Sequence, residues 1–265
     1  MANCTVLVST VIIFFLLLEP KDNGFNCNDT SIRQPFIKLQ VSMAQLLSIS
    51  VGLPIIAIVV IEKFISKISK TNNKLIIYHN IIAFIFGLFF NFLLVMIMKN
   101  LFGRLRPHTI RFCNADHYCP EGFIDKHIET FECRNDDYPM RYKRNVRHSF
   151  YSGHASIGLY AGAFLILYLR SKLRPKHNLW KYILKSLYLI IAITSTYPGY
   201  TQWKNYWHFS SDVLTGYAIG IVSAISIYKL FLSNTISDHQ LIDKNNANNY
   251  IPLNKLLTTT ISFNR

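Results

Sequence analysis

Six long apolar runs dominate this 265-residue chain and limit what it can fold into. A helix needs roughly 20 apolar residues to cross a ~30 Å hydrocarbon core, and the runs are close to that length. Hydrophobic residues make up 51% of the sequence, with a mean hydropathy of +0.22, which is typical of a membrane protein. We therefore predict an all-α, six-transmembrane helical bundle. The predicted spans are residues 2–18, 42–61, 75–98, 155–169, 182–197 and 213–232.

The two ends of the chain need separate interpretations. The spans form one predicted domain over residues 1–232, and the polar, Asn-rich segment 233–265 is interpreted as a flexible cytosolic tail. The first run also resembles a signal peptide in position. It lacks a positively charged start and a clear small-residue cleavage site, so we interpret it as a membrane span.

Basic residues in the short loops predict the orientation, because short cytosolic loops carry an excess of Lys and Arg. Four lysines lie between Lys63 and Lys74, and five basic residues lie between Arg170 and Lys181. Both loops are assigned to the cytosol, which places both termini there. The opposite, extracellular or lumenal face then receives the loops 19–41, 99–154 and 198–212.

Two features of the predicted outer loops agree with this orientation. Asn28 begins the sequon Asn-Asp-Thr, which is a glycosylation acceptor in an outer loop, whereas the sequon at Asn3 would be cytosolic and unused. Four cysteines also fall outside, where disulfides persist. Four cysteines allow three pairings, and four free thiols are the alternative. The disulfide candidates are Cys27, Cys113, Cys119 and Cys133.

Three outer segments carry side chains suited to binding or catalysis, and the first of them begins where the third span ends. It carries Lys99 and Arg106. The planar fork of Arg suits phosphate oxygens, and Lys adds a point charge. Anchoring at the membrane interface is the alternative role, since Lys and Arg commonly lie at span ends.

The second segment, Ser152-Gly153-His154, leads into the fourth span. A helix N-terminus is an anion-binding site, Gly allows close approach of a ligand, and His exchanges protons near neutral pH. Ordinary helix capping by Ser152 is the alternative. In the third segment, His208 and Asp212 lie four residues apart at the start of the sixth span, so the carboxylate can orient the imidazole as a nucleophile. A surface His with an unrelated Asp is the alternative.

The net charge of +14 is consistent with anionic membranes or anionic substrates. A nucleic-acid partner is disfavoured, because the sequence has no basic stripe within a known nucleic-acid-binding motif.

The three segments together resemble the signature motifs of the type 2 phosphatidic acid phosphatase superfamily. The matching patterns are Lys99-x6-Arg106-Pro107, Ser152-Gly153-His154 and His208-x3-Asp212. The longer runs 103–108, 149–154 and 211–216, and the run 27–32 in the first outer loop, are similar to the animal lipid phosphate phosphatase subfamily.

This resemblance implies a phosphomonoesterase that needs no metal or other cofactor and acts on lipid phosphates at the outer or lumenal leaflet. It implies that His208 attacks phosphorus, Asp212 orients it and His154 protonates the leaving alkoxide. Phosphatidic, lysophosphatidic and sphingoid phosphates are the expected substrates, in phospholipid metabolism and signalling. The plasma membrane is the expected location, with an endomembrane as the alternative, and homo-oligomerisation is left open. The implied phosphate-binding residues are Lys99, Arg106, Ser152 and Gly153.

One position departs from the family pattern. The third motif normally opens with Ser-Arg, and this chain has Thr201 and Gln202 there. Gln202 donates hydrogen bonds but carries no charge, and losing a preorganised transition-state donor typically lowers the rate by about 10²–10³. Lys204 is a candidate substitute cation.

Three other functions stay open because of this departure. One is a catalytically silent relative that binds phospholipid or modulates active partners. Another is a superfamily member that acts on a sugar phosphate or a diphosphate. The third is a transporter or channel, which the scarcity of polar breaks in the spans disfavours.

Overall fold

The computed structural model describes residues 20–69, 72–119, 125–175 and 177–232. The predicted first span and the predicted tail therefore lie outside the described residues. Seven α-helices, two short β-strands, two 3₁₀ turns and one π-helical segment form the described chain. The helices are α1 Met43–Ser69, α2 Lys74–Phe102, α3 Thr109–Cys113, α4 Met140–Asn145, α5 Gly153–Lys172, α6 Asn178–Lys204 and α7 Ser210–Ile227.

Three of the helices are long and apolar enough to cross a membrane. These stretches are Met43–Ile68, Lys74–Phe102 and Ser210–Leu232, the last of which joins α7 to the π-helical segment. They correspond to the predicted second, third and sixth spans. Helices α5 and α6 occupy the positions of the predicted fourth and fifth spans, but within the described chain only the first three stretches have the required length and hydropathy. Six spans therefore remain a prediction.

Helices α1, α2, α5 and α6 all extend beyond the spans that the sequence pattern predicts, α1 and α6 by the most residues. Helix α1 continues to Ser69, beyond the predicted end of the second span. Helix α6 includes Pro198 and runs to Lys204, so residues that were predicted to lie in an outer loop are helical. A helix can continue beyond its apolar run, because polar residues at the end of the helix are solvated. Hydropathy therefore marks the membrane segment and not the end of the helix.

The chain divides into two compact units. The first contains the described residues of 1–42, 91–156 and 198–217. In it β1 (Phe25–Asn26) and β2 (His127–Ile128) pair in antiparallel register. The described chain is mostly helical, as predicted, and this small sheet is the addition to that prediction. Strands of two residues leave no periodic signal in a sequence, so the pairing could not be read from the pattern.

Two disulfides close the apolar core of the first unit. Cys27 bonds to Cys119, and Cys113 bonds to Cys133. The structure thus selects one of the three pairings that the sequence left open. The buried side chains packed around these bridges include Phe25, Ile32, Ile110, Phe112, Ile128 and Phe131.

The second unit contains the described residues of 43–90, 157–197 and 218–265. It encloses the carboxylate of Glu62, which is 1% exposed. Lys172 Nζ lies 2.7 Å from Glu62 Oε1, and Asn80 Nδ2 and Tyr168 OH donate to the same oxygen at 3.1 and 3.0 Å. Helices α1, α2 and α5 are thus joined through one oxygen of a buried carboxylate.

Candidate active site

The predicted catalytic and phosphate-binding residues lie at the ends of three helices, α2, α5 and α7, or in the loops beside them. All of them belong to the first unit. Lys99 lies in the last turn of α2, which ends at Phe102 and is followed by Gly103 with a positive φ of 54°. A Cβ at Gly103 would lie 2.0 Å from the Lys21 carbonyl oxygen, so both the turn and the close packing require glycine. His154 lies in the first turn of α5, as predicted from the sequence.

Hydrogen bonds to main-chain carbonyl oxygens bring the three segments together. Lys99 Nζ donates to the His148 carbonyl oxygen at 2.9 Å, which joins the first segment to the second. The Ser152 amide donates to the Asp212 carbonyl oxygen at 3.1 Å, which joins the second segment to the third. The structure therefore places side chains from three distant parts of the chain in one site.

Arg106 is buried, and most of its N–H donors form hydrogen bonds within the protein. Its guanidinium donates twice to Asn145, through Nε to the carbonyl oxygen and through Nη2 to Oδ1. It also donates to the carbonyl oxygens of Trp207 and His148. Four of the five N–H donors of the guanidinium are therefore used. The remaining N–H and the positive charge are what Arg106 can offer to a phosphate.

Asp212 is the most enclosed charged group of the site, with 0% exposure. Arg104 Nη1 lies 2.6 Å from Oδ1. Ser149 Oγ donates to Oδ2 at 2.6 Å, and the Phe209 amide donates to Oδ2 at 3.2 Å. These contacts hold the carboxylate in one orientation and balance its charge.

His208 lies next to this carboxylate. Its Nδ1 is 3.7 Å from Asp212 Oδ2, which is longer than a hydrogen bond. Such contacts commonly tighten when a substrate binds. Helix α7 begins at Ser210, so His208 precedes the helix, where the sequence pattern placed both residues on one helical face. The His208 amide bonds instead to the Gln202 carbonyl oxygen at 3.2 Å.

The environment keeps His208 uncharged at neutral pH. Burial lowers the pKa of His208 well below its ordinary value, and the charge of Arg106 lowers it further. Burial also lowers the pKa of Arg106, to about 9, so its guanidinium remains charged at neutral pH. A neutral imidazole beside fixed cations is a nucleophile placed in an anion-attracting site.

His154 is 7% exposed, and its Nε2 lies 3.1 Å from the carbonyl oxygen of Val41. Because a carbonyl oxygen only accepts hydrogen bonds, this contact places a proton on Nε2 and leaves Nδ1 to exchange a proton with a ligand. Val41 belongs to the segment before α1. The same segment contains Ile37, whose carbonyl oxygen accepts a 2.7 Å hydrogen bond from Trp207 Nε1.

Gln202, the residue that departs from the family pattern, lies inside this site. Its side chain is 1% exposed, and Nε2 has no hydrogen-bond partner among the described residues. Lys204, the candidate substitute cation, lies near another side chain. It is exposed, and its Nζ lies 6.0 Å from the centroid of the Tyr200 ring.

Sequence reasoning missed three groups of the site. They are Arg104, Ser149 and the Val41 carbonyl. Arg104 and Ser149 stood inside the quoted motif runs, but residue type alone did not show that both contact Asp212. A main-chain carbonyl leaves no signal in a sequence.

Comparison with known proteins assigns the family. The model of the PAP2 superfamily matches residues 80–236. Rattus norvegicus phospholipid phosphatase 1 is 32% identical over 218 residues, covering 78% of this chain and 74% of the rat protein. Homo sapiens phospholipid phosphatase 2 is 28% identical over 224 residues, covering 81% and 75%. A Drosophila melanogaster protein with a provisional phosphatidate phosphatase name is 30% identical over 266 residues, covering 91% and 68%.

No solved structure matches the chain. The family assignment therefore depends on the sequence matches and on the motif residues that the site brings together. Because the family model covers more than half of the sequence, this chain belongs to the PAP2 superfamily.

Proposed function

We propose that this protein is an integral membrane phosphatase that removes phosphate from lipid phosphate monoesters through a phosphohistidine at His208. Membership of the PAP2 superfamily and the phospholipid phosphatase names of its relatives support a lipid phosphatase. The observation that carries the chemical step is the neutral, buried His208 beside a fixed Asp212 carboxylate and the cations of Lys99 and Arg106.

In the first step, the nucleophilic imidazole nitrogen Nε2 of His208 attacks phosphorus. A P–N bond forms as the P–O bond to the lipid breaks, and the leaving alkoxide takes a proton from Nδ1 of His154. Burial lowers the pKa of His154 to about 4, so the ring is neutral before the substrate binds. The Nδ1 proton therefore arrives with the substrate, from the monoanionic form of the phosphate monoester, whose negative charge beside the ring favours the imidazolium. Asp212 stabilises the positive charge that develops on His208. Lys99, Arg106 and the N-terminus of α5 at Ser152 and Gly153 offset the charge on the phosphoryl oxygens.

In the second step, water attacks phosphorus on the side opposite His208. His154, now neutral, takes a proton from that water, the P–N bond breaks, and inorganic phosphate leaves with His208 restored. The two roles of His154 require one ring nitrogen that faces the reacting oxygen, and the Val41 contact on Nε2 leaves Nδ1 for that role.

Gln202 sets the expected rate. Its Nε2 is a buried donor with no partner among the described residues, so it is available to a phosphoryl oxygen. A neutral donor stabilises a developing anion less than a guanidinium does, since charge-assisted hydrogen bonds are the stronger ones. We therefore infer a slower enzyme than one with Arg at this position.

The remaining expectations belong to the same proposal. Six spans place the site on the outer face, with both termini in the cytosol. The plasma membrane is the expected location, and an endomembrane is the alternative. Asn28 carries a glycan on the same face, and no metal takes part in the reaction.

The test is phosphate release by purified protein from phosphatidic, lysophosphatidic and sphingoid phosphates, with a soluble sugar phosphate as the competing substrate. Wild type is compared with His208→Ala and Gln202→Arg. We expect vanadate-sensitive, chelator-resistant release from the lipids only, none by His208→Ala, and a rate about 10²–10³ higher for Gln202→Arg.

Each other result points elsewhere. An inert wild type that becomes active as Gln202→Arg identifies a silent relative with an intact scaffold. Preference for the sugar phosphate contradicts the lipid substrate. Equal release by wild type and His208→Ala contradicts the phosphohistidine.

A further inference from the structure

The closest charged group to the Asp212 carboxylate is Arg104 and not His208. Oδ1 is bound by Arg104 Nη1 at 2.6 Å, whereas His208 Nδ1 lies 3.7 Å from Oδ2. The Asp212 side chain is fully buried, and the Arg104 side chain is 39% exposed. The fixed cation beside Asp212 is therefore an arginine at the edge of the site.

Further contacts hold Arg104 in this position. Its Nη1 also donates to Ser211 Oγ at 3.0 Å, and its Cζ lies 4.3 Å from the centroid of the Phe209 ring. The Arg104 carbonyl oxygen accepts a 3.0 Å hydrogen bond from the amide of Ser149. One residue thus contacts Asp212 directly and also positions Ser149, whose hydroxyl binds the other carboxylate oxygen.

We infer that Arg104 is a positioning residue, which acts on the reaction through Asp212 by fixing its charge and directing Oδ2 toward His208. This inference depends on the proposed function, because its effect is read from turnover. A buried carboxylate with no cation is costly and shifts toward other partners. With Arg104 on Oδ1, Oδ2 remains directed toward the imidazole.

The alternative role for Arg104 is direct binding of the phosphate, since part of the side chain is exposed. The two roles differ in what they change. A positioning residue lowers kcat and needs Asp212 for its effect, whereas a phosphate ligand changes KM and acts whether or not Asp212 is ionisable.

The test is a double-mutant cycle of Arg104→Gln with Asp212→Asn, assayed for kcat and KM on phosphatidic acid in detergent micelles. We expect Arg104→Gln to lower kcat about 10- to 100-fold with KM changed less than about threefold. In the Asp212→Asn background, the same change is expected to lower kcat less than about threefold. Arg104→Lys keeps the charge without the planar fork, so it is expected to recover part of the lost kcat.

Arg134→Gln is the matched control, because Arg134 is an exposed arginine of the same unit that pairs with Glu132. Its kcat should equal that of wild type. Wild-type kcat for Arg104→Gln, equal losses in both Asp212 backgrounds, or a change confined to KM would each overturn the assignment.

Two further outcomes are resolved by the same set of variants. If Arg104→Gln does not give folded protein, Arg104→Lys takes its place in the double-mutant cycle. A kcat of Arg104→Lys equal to that of wild type then overturns the assignment. Wild-type protein no more active than His208→Ala contradicts the proposed function itself, and the inference about Arg104 fails with it. An active wild type with an unaffected Arg104→Gln contradicts the inference alone.

Discussion

Ser149 Oγ lies 2.6 Å from Asp212 Oδ2, the carboxylate oxygen that also lies 3.7 Å from His208 Nδ1. The hydroxyl is fully buried, so water does not compete for this hydrogen bond. The residue just before the Phe-Tyr-Ser-Gly-His run is therefore part of the support for the nucleophile, although it belongs to a different segment of the chain.

Replacing Ser149 by Ala is expected to lower kcat about 10- to 100-fold, because hydrogen bonds to charged groups contribute roughly 1.5–3 kcal/mol. Steady-state kinetics on a lipid phosphate measure the effect. Ser156→Ala is the matched control, since Ser156 is also buried and its hydroxyl donates to Asn91 Oδ1 at 2.8 Å, away from Asp212. Equal kcat values for the two variants would argue against this role of Ser149.

The pH dependence follows from the state of His208. Burial and the charge of Arg106 lower the pKa of its imidazole well below the ordinary value. The neutral form is the nucleophile, so the reactive fraction stays high as the pH falls through about 6.5 and decreases only at lower pH. A profile of kcat/KM against pH measures the ionisation of His208. The profile is corrected for the ionisation of the substrate phosphate, which phosphorus NMR measures separately. An acidic limb centred near 6.5 after that correction would contradict the assigned state of His208.

The predicted site depended on features that a sequence shows directly. The apolar runs end next to Lys99, His154 and His208. Hydropathy and spacing therefore place these motif residues at the outer ends of the predicted spans. That these segments meet was an expectation, and the bonds from Lys99 to His148 and from Ser152 to Asp212 provide the contacts.

Other contacts could not be predicted, because they join side chains distant in sequence. The Arg104–Asp212 pair spans 108 positions, and the Ser149–Asp212 bond spans 63. No periodic pattern encodes either. Helix α6 carries Gln202 inside its last turn because the helix continues through Pro198, which apolar content alone did not indicate.

The buried pair of Glu62 and Lys172 leads to a stability prediction for the second unit. Removing one partner of a buried ion pair leaves an uncompensated charge and costs about 3–5 kcal/mol. Because Lys172 is 19% exposed, we expect Lys172→Met to lower the free energy of unfolding by about 3 kcal/mol, the low end of that range. Thermal unfolding in detergent gives the measurement.

The double variant Glu62→Gln with Lys172→Met tests the cause of that loss. Removing both charges should recover most of the stability, because no unpaired carboxylate remains. Lys185→Met serves as the control, since Lys185 is exposed with its Nζ 5.9 Å from the Tyr182 ring centroid. A loss for Lys185→Met as large as that for Lys172→Met would remove the case for the ion pair.

Glycosylation tests the predicted orientation. Asn28 is exposed, and its Nδ2 donates to Asp125 Oδ1 at 2.9 Å. Glycosidase digestion of protein from animal cells should shift the wild-type band, and Asn28→Gln should abolish the shift. Asn3→Gln is the control and should leave the shift in place, because that sequon is predicted to face the cytosol. The reverse pattern would invert the assigned orientation.

The most direct measurement of the central claim is capture of the covalent intermediate. Protein incubated with phosphatidic acid labelled in its phosphate is denatured in alkali, and the labelled peptide is identified by mass spectrometry. The account predicts an alkali-stable, acid-labile phosphoryl group on His208, absent from His208→Ala. Turnover that leaves no label on His208, or that persists in His208→Ala, would contradict it.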